Sequence, residues 1–190
     1  EIDEENGNCK SIELFNEKEV VVSIKMDGEN CTLYNDYLHA RSIDSKNHPS
    51  RNWVNNFHST IKHDIPKLWR ICGENLYAKH SIEYNNLKSY FYGFSIWDER
   101  NFCLSWDVTL EWFSLLDIEP VPIIYRGVFD KDKIHNIYLS EYSEHEGYVI
   151  RITDEFYYGV FNKYVGKWVR SDHVQTDTHW TKKWTTNKLG

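Results

Sequence analysis

The sequence is poor in cysteine, proline and glycine, with 4, 4 and 9 of each in 190 residues. The cysteines, Cys9, Cys31, Cys72 and Cys103, form neither a C-x-x-C pair nor a Cys/His grouping at zinc spacing. This spacing gives no sign of a zinc site. We therefore interpret the four as reduced thiols and expect a cytoplasmic protein.

Long apolar runs are also missing. No stretch approaches the roughly 18 apolar residues that a membrane span needs. Residues 1–5 are acidic where a secretory signal would be basic and then apolar. Internal repeats and Pro/Gly/Ser-rich linkers are absent too, so we expect one continuous domain with no membrane partner.

Neither common glycine-rich phosphate loop, G-x-x-x-x-G-K-[ST] or G-x-G-x-x-G, occurs in the sequence. The formal charge of −7 argues mildly against a nucleic-acid partner. That charge is unevenly distributed, because residues 1–24 carry a net −5 and residues 163–190 a net +4. Trp168, Trp180 and Trp184 lie among the basic residues, and such a mixture of cations and rings suits a nucleic-acid strand.

Apolar residues make up 41 % of the chain and aromatic residues 16 %, which is enough for a packed core. Helical periodicity predicts helices from a Ser50 cap to before Pro66, from Ser105 to Leu116, and near 131–139. β-Branched and aromatic runs predict strands at 19–24, 31–42 (a hairpin turning at Asn35-Asp36), 68–78, 90–97, 121–125, 147–152 and 160–169. Strands outnumber helices and hairpins dominate, so the predicted class is α+β with mostly antiparallel sheets.

The string Lys25-Met26-Asp27-Gly28 follows the first predicted strand. A lysine at a strand end, beside a glycine that lets the backbone approach closely, can serve as a covalent nucleophile once it has lost its proton. An ordinary surface turn with an incidental lysine would look the same. The motif alone therefore does not decide between the two.

Four further strings follow this motif in order: Gly73-Glu74-Asn75-Leu76-Tyr77, Phe91 to Ile96, Glu146-Gly147-Tyr148-Val149-Ile150-Arg151 and Lys163 to Arg170. With them, the sequence resembles the covalent nucleotidyltransferase superfamily of ATP-dependent ligases and mRNA capping enzymes. Over roughly residues 19 to 184 it is most similar to the short ATP-dependent RNA ligases of phages and other viruses.

Several strings resemble RNA ligases in particular. They are His39-Ala40-Arg41-Ser42, Trp69 to Ala78, Phe94 to Asp98, and His173 to Asp177 with His179-Trp180. The resemblance implies a ligase-type nucleotidyltransferase (adenylyltransferase) fold without an OB domain. We expect an acidic N-terminal segment with the first strand at 1–24, a nucleotidyltransferase domain at 19–170 and a basic, Trp-containing tail at 171–190.

The resemblance also implies a reaction. Lys25 would attack the α-phosphorus of ATP, release pyrophosphate and hold AMP covalently, with Mg²⁺ or Mn²⁺ present. The AMP would pass to an RNA 5′-phosphate, and an RNA 3′-hydroxyl would then seal the strand. We expect a monomer that acts in RNA repair.

The roles implied for individual residues follow from the same resemblance. Lys25 and Lys167 would be catalytic, Glu74 would bind the ribose and Phe94 would stack on adenine, although a ring in a strand is also an ordinary core residue. Glu146, with Asp27, would hold the metal ion. The remaining nucleotide-binding candidates are Gly28, Asn30, Arg41, Arg151, Lys163 and Arg170. Lys163 is the alternative to Lys167, because both resemble the last motif's lysine.

Three alternative functions stay open at this point. A DNA ligase or a GTP-dependent capping guanylyltransferase uses the same lysine chemistry, but only about twenty residues follow Arg170, too few for an OB domain. A non-catalytic nucleotide- or RNA-binding module is the third alternative. One position departs from many relatives, because Ile24 stands where they have glutamate before the lysine.

Overall fold

The computed structural model describes residues 13–41, 48–171 and 184–190. In chain order its strands are β1 (Glu19–Ile24), β2 (Glu29–Leu33), β3 (Leu38–Ala40), β4 (Arg70–Asn75), β5 (Phe91–Trp97), β6 (Phe102–Cys103), β7 (Glu119–Pro120), β8 (Ile123–Val128), β9 (Gly147–Ile152), β10 (Phe156–Tyr157) and β11 (Val165–Val169). Its helices are α1 (Asn52–Ile61), α2 (Trp106–Leu115), α3 (Lys131–Glu141) and α4 (Phe161–Tyr164). The described residues include no helix that is long and apolar enough to cross a bilayer.

The first sheet has four antiparallel strands in the order β11-β9-β1-β8. Strand β1 alternates between two environments, as a strand covered on both faces must. Val20 and Val22 belong to a buried cluster with Ile134 and Tyr138 of α3. Val21, which points to the opposite face, belongs to another cluster with Trp106 of α2. This sheet therefore carries α3 on one face.

The second sheet has seven strands. Six follow the order β10-β6-β5-β4-β2-β3, and β7 pairs in parallel with β5. The other pairings in this sheet are antiparallel. Its β2 and β4 side chains pack with residues of α1 and α2, such as Val54 and Phe113, in a third buried cluster. The four-residue connection 25–28 passes from the first sheet to the second.

Two predicted helices have polar caps, of which Ser105 was predicted and Asp130 was not. The Ser105 hydroxyl accepts the Val108 N–H at the start of α2, and the Asp130 carboxylate accepts the Lys133 N–H at the start of α3. The α+β class and the antiparallel pairing are confirmed, as is the nucleotidyltransferase fold by the comparisons given below.

Two of the boundaries that differ from the prediction have a clear cause. Ser50 lies inside a short 3-10 turn, Pro49–Arg51, and does not cap α1, which begins at Asn52. The strand predicted at 160–169 begins only at Val165, because residues 161–164 form the single turn of α4. The rings of Phe161 and Tyr164 in that turn pack against Phe156. The aromatic residues of this segment therefore reflect core packing and not a β-strand.

Candidate active site

Lys25 and Glu146 lie 121 positions apart in sequence and form an ion pair, with the lysine Nζ 2.5 Å from Glu146 Oε2. Lys25 follows β1 directly, and its backbone N–H donates to Gly147 O at 2.9 Å. Glu146 immediately precedes β9, so the pairing of β1 with β9 brings the two side chains together. The Glu146 side chain is 6 % exposed and that of Lys25 is 27 % exposed. The amine is therefore held in place and still reachable from solvent.

Gly28 makes the close backbone approach that the motif predicts. Its N–H donates to Glu74 Oε1 at 3.1 Å. A Cβ at this position would lie 2.6 Å from Asn75 O and 2.7 Å from Leu76 Cδ2. Only glycine fits here without displacing β4, so the glycine fixes the position of Glu74 relative to the lysine loop.

Burial dominates the electrostatics of Glu74. Desolvation raises the pKa of this carboxyl to about 8, although Lys25 and the Gly28 N–H lower it, while Asp27 and Glu146 raise it further. A carboxyl with this pKa is largely protonated at neutral pH and can then donate a hydrogen bond as well as accept one. Such a group is suited to a pair of sugar hydroxyls.

Asp27 is a predicted metal ligand, but the partners of its carboxylate in the structure are N–H and O–H groups of the protein. Its Oδ2 accepts from the Ser81 N–H at 2.8 Å, the Ser81 hydroxyl at 2.6 Å and the Ile82 N–H at 2.8 Å. Its own N–H donates to the Tyr84 hydroxyl at 3.0 Å. The geometry favours Asp27 as an anchor for the lysine loop. Its assignment as a metal ligand stays a prediction.

Phe94 stands at an irregularity in the second sheet. Cys72 pairs with Ser95 while Gly73 pairs with Gly93, so Phe94 is the extra residue of a β-bulge. It is also the one residue of β5 that is not buried. Bulges commonly redirect a side chain next to an active site. Phe94 therefore offers ring surface of the kind that adenine stacking requires.

Lys167 and Lys163 lie on different elements. In β11, Lys167 pairs with Val149, which pairs in turn with Ser23 of β1. Directly paired residues share a face, and Ser23 shares its face with the residue two positions on, Lys25. Lys167 thus lies on the Lys25 side of the sheet, whereas Lys163 is exposed on α4. The geometry favours Lys167 over Lys163.

Arg151 lies four residues along β9 from Gly147, away from the Lys25–Glu146 pair. It is 7 % exposed, and its guanidinium donates to Leu104 O at 2.7 Å and Ile152 O at 3.1 Å. It also lies over the ring of Trp106. The structure therefore gives Arg151 structural partners, and its assignment to nucleotide binding stays a prediction.

Arg170 supports the site from outside. Its N–H donates to Glu146 O at 3.1 Å, and its guanidinium donates to Ser143 O at 3.2 Å. Both contacts hold the turn that presents Glu146.

Trp168 was expected among the rings for a nucleic-acid strand, and that expectation is wrong. Its ring is buried and stacks on Tyr148 with centroids 5.4 Å apart.

Two other predicted residues lie on the second sheet. Asn30 of β2 pairs with Glu74, so their side chains share a face. Arg41 is exposed just after β3. The motif at His173 to Asp177, His179-Trp180, and Lys182 and Lys183 lie outside the described residues.

Three residues near the site were not predicted from the sequence: Ser81, Tyr84 and Asn187. Ser81 and Tyr84 bond to Asp27, and Asn187 bonds to the backbone of Tyr84. None of them belongs to a recognised motif.

Among the described residues there is no group of three or more His, Cys, Asp and Glu side chains that could hold a metal ion by themselves. A single carboxylate such as Glu146 fits Mg²⁺ or Mn²⁺ when phosphate oxygens and water supply the other ligands.

A lysine loop, a buried glutamate and a second glutamate at the junction of two mostly antiparallel sheets define a nucleotidyltransferase type of site. The family model for RNA ligases matches residues 18–169. The chain belongs to the RNA ligase family.

Solved structures support the same fold. The Naegleria gruberi RNA ligase with pyrophosphate superposes with a TM-score of 0.60 at 18 % identity, covering 83 % of this chain and 51 % of that one. A lysine-to-methionine mutant of the same ligase with AMP and Mn has a TM-score of 0.56 at 18 % identity, with the same coverage. A glutamate-to-alanine mutant with ATP and Mn has a TM-score of 0.58 at 17 % identity, covering 90 % and 56 %. The chain thus spans about half the length of these structures. A search of curated protein sequences finds no match.

Proposed function

We propose that this chain is an ATP-dependent RNA ligase that adenylylates itself at Lys25. The observation that carries the proposal is the convergence of three separate motifs. Lys25 is paired with Glu146, and the Gly28 N–H of the same loop is bonded to Glu74. A surface turn with an incidental lysine would not require these two glutamates beside it.

In the first step the Lys25 amine attacks the α-phosphorus of ATP. The N–P bond forms, the bond from phosphorus to the pyrophosphate oxygen breaks, and the amine loses a proton. Lys167, which lies on the Lys25 side of the sheet, would stabilise charge on the phosphate oxygens in the transition state. Glu146 would hold Mg²⁺ or Mn²⁺, which would offset the negative charge of the phosphate.

The adenosine part of ATP would be held by two side chains of the second sheet. Phe94, which is redirected by the bulge, would stack on the base. Glu74 would bond to the ribose hydroxyls. Asn30 shares the Glu74 face, and Gly28 leaves room for close approach of the backbone. Arg41 would contact phosphate from the edge of the sheet.

We further propose that the AMP is transferred to an RNA 5′-phosphate and that an RNA 3′-hydroxyl completes the joint. The family membership and the basic residues 163–190 support RNA as the substrate. The site needs only one chain, since Lys25, Glu74 and Glu146 are all its own, which supports a monomer. The free thiols of Cys31, Cys72 and Cys103 support a reducing compartment such as the cytoplasm.

The test is incubation with α-labelled ATP and a divalent cation, followed by denaturing electrophoresis. We expect a labelled, acid-labile adduct for the wild type and for Lys163→Ala, and none for Lys25→Ala. A chase with 5′-phosphorylated RNA should remove the label and produce joined RNA. GTP and nicked DNA serve as parallel substrates. An adduct that persists in Lys25→Ala, or a clear preference for GTP or for DNA, refutes the proposal.

A further inference from the structure

Residues 184–190, the C-terminal segment, lie against the loop of residues 76–90 that follows β4. Five backbone hydrogen bonds join the two, at 2.8 to 3.0 Å: Lys79 N to Thr185 O, Asn187 N to Tyr77 O, Lys188 N to Tyr84 O, Leu87 N to Lys188 O and Gly190 N to Leu87 O. Ala78 also bridges to Thr186 and Leu87 to Leu189. The segment therefore adds a strand-like edge to this loop.

Asn187 is the only residue of this segment that is buried, with 1 % exposure. Its side-chain oxygen accepts the Tyr84 N–H at 2.9 Å, and its amide nitrogen donates to Leu76 O at 2.8 Å. Its backbone carbonyl accepts the Tyr90 hydroxyl at 3.1 Å. A buried amide with these partners fixes the loop at both ends, because each bond lost leaves a buried polar group unpaired.

Tyr84 connects the loop to both parts of the active site. Its hydroxyl accepts the Asp27 N–H, two residues after Lys25. Its ring stacks on His145, the residue before Glu146, with centroids 6.2 Å apart and planes 22° apart. One side chain thus contacts the lysine loop and the turn that carries Glu146.

The same loop holds Asp27 a second time. The Ser81 N–H and hydroxyl and the Ile82 N–H all donate to Asp27 Oδ2. A shift of residues 81–84 would therefore move the lysine loop relative to Glu146. The side-chain bonds of Asn187 run to the backbone of Tyr84, Leu76 and Ala78, so its effect on the lysine loop passes through the 76–90 loop.

We infer that Asn187 is a positioning residue for the adenylylation of Lys25, acting through Tyr84 and the 76–90 loop. This inference rests on the proposed function, because it assigns Asn187 to the first step of that reaction. A misplacement of the order of 1 Å at a reacting group costs about 100-fold in rate. Loss of the Asn187 bonds should accordingly slow the chemical step more than it weakens ATP binding.

The experiment compares Asn187→Ala and Tyr84→Phe with Thr186→Ala, a neighbour in the segment with an exposed side chain. Single-turnover adenylylation is measured over a range of ATP concentrations, at a temperature where circular dichroism shows every variant folded. We expect the maximal rate to fall about 10- to 100-fold for the first two variants, with half-saturating ATP changed less than about 3-fold. Thr186→Ala should behave as the wild type.

Amide hydrogen exchange supplies a second readout that needs no activity. In Asn187→Ala the amides of Asp27 and Ser81 should exchange about 10-fold faster or more, while those of Val21 and Ile150 in the first sheet stay protected. Unchanged exchange at Asp27, a wild-type maximal rate, or a loss confined to ATP affinity overturns the inference. A wild type that forms no adduct at all refutes the proposed function instead.

Discussion

Glu74 and Gly28 are joined by a hydrogen bond from the glycine N–H to Oε1 at 3.1 Å. Glu74 belongs to β4, whereas Gly28 ends the connection that leaves the first sheet after Lys25. This bond therefore locks the lysine loop onto the second sheet. It also explains why the motif needs glycine, since any Cβ here would overlap β4.

Replacement of this glycine should damage both stability and activity. In Gly28→Ala the new methyl group meets backbone at Asn75 O, so we expect unfolding to become easier by about 1–3 kcal/mol and adenylylation to slow. Urea denaturation and the labelled-ATP assay measure the two effects. Gly166→Ala is the control, because its Cβ would have no heavy atom closer than Phe15 Cε2 at 3.3 Å. Equal effects for the two variants contradict the assignment.

Glu74 makes stability depend on pH. Its pKa in the folded protein, about 8, lies above its ordinary value of 4.5, so the folded state binds the proton more tightly. The contribution that the protonated Glu74 carboxyl makes to stability is fully present below about pH 4.5. It is lost as pH rises through 8, at about 1.4 kcal/mol per pKa unit. Glu74→Gln cannot ionise and keeps an oxygen for the Gly28 N–H. The melting temperature of this variant should therefore rise relative to that of the wild type as pH increases from 5 to 8.

The melting curves are best recorded without nucleotide and with a chelator present. Glu83→Gln is the matched control. Its exposed carboxyl has a lowered pKa because of Lys79, so this variant should differ from the wild type by a constant amount above pH 5. A Glu74→Gln curve that runs parallel to the wild type over this range contradicts the prediction.

Phe94 should determine ATP affinity. Stacking of a base on a ring is worth about 1–3 kcal/mol, so Phe94→Ala should raise half-saturating ATP roughly 5- to 150-fold. Phe94→Tyr keeps the ring and should stay close to the wild type. Tyr157→Ala removes an exposed ring of the same sheet and should leave ATP binding unchanged. A Phe94→Ala variant that loses stability but binds ATP normally would make this ring a core residue.

Lys167 and Lys163 can be separated by single substitutions. Removal of one group that stabilises transition-state charge typically costs about 100- to 1,000-fold, so Lys167→Ala should slow adenylylation by that factor. Lys163→Ala should stay within about 2-fold of the wild type, because α4 places it off the paired strands. Rapid-quench adenylylation measures both rates. The reverse pattern assigns the role to Lys163.

The sequence predicts the elements of this fold well and its site in part. Hydrophobic period and polar caps located β1, β9 and α2 within a few residues. The order of the motifs selected Lys25, Glu74 and Glu146, which the structure brings together. Local signals suffice in these cases, because each motif lies at the end of a regular strand.

Other parts of the site depend on contacts that no local pattern encodes. Arg151 ends a motif but lies buried in β9, where its guanidinium donates a hydrogen bond to the backbone carbonyl of Leu104. Asn187 is one polar residue in a polar tail, and its burial results from the docking of that tail on the 76–90 loop. The bulge at Phe94 changes which residues face the site, and strand alternation alone predicts no such shift.

The ion pair between Lys25 and Glu146 cannot form until both residues have been synthesised. Synthesis of Lys25 precedes that of its partner by 121 residues, and Asn187 is made last of the three. Strand β1 has no β9 to pair with until that stretch has emerged, and contacts between distant residues form slowly. A nascent chain therefore carries Lys25 without the glutamate that holds it. The docking of residues 184–190 on the 76–90 loop can follow only after those residues have been synthesised too.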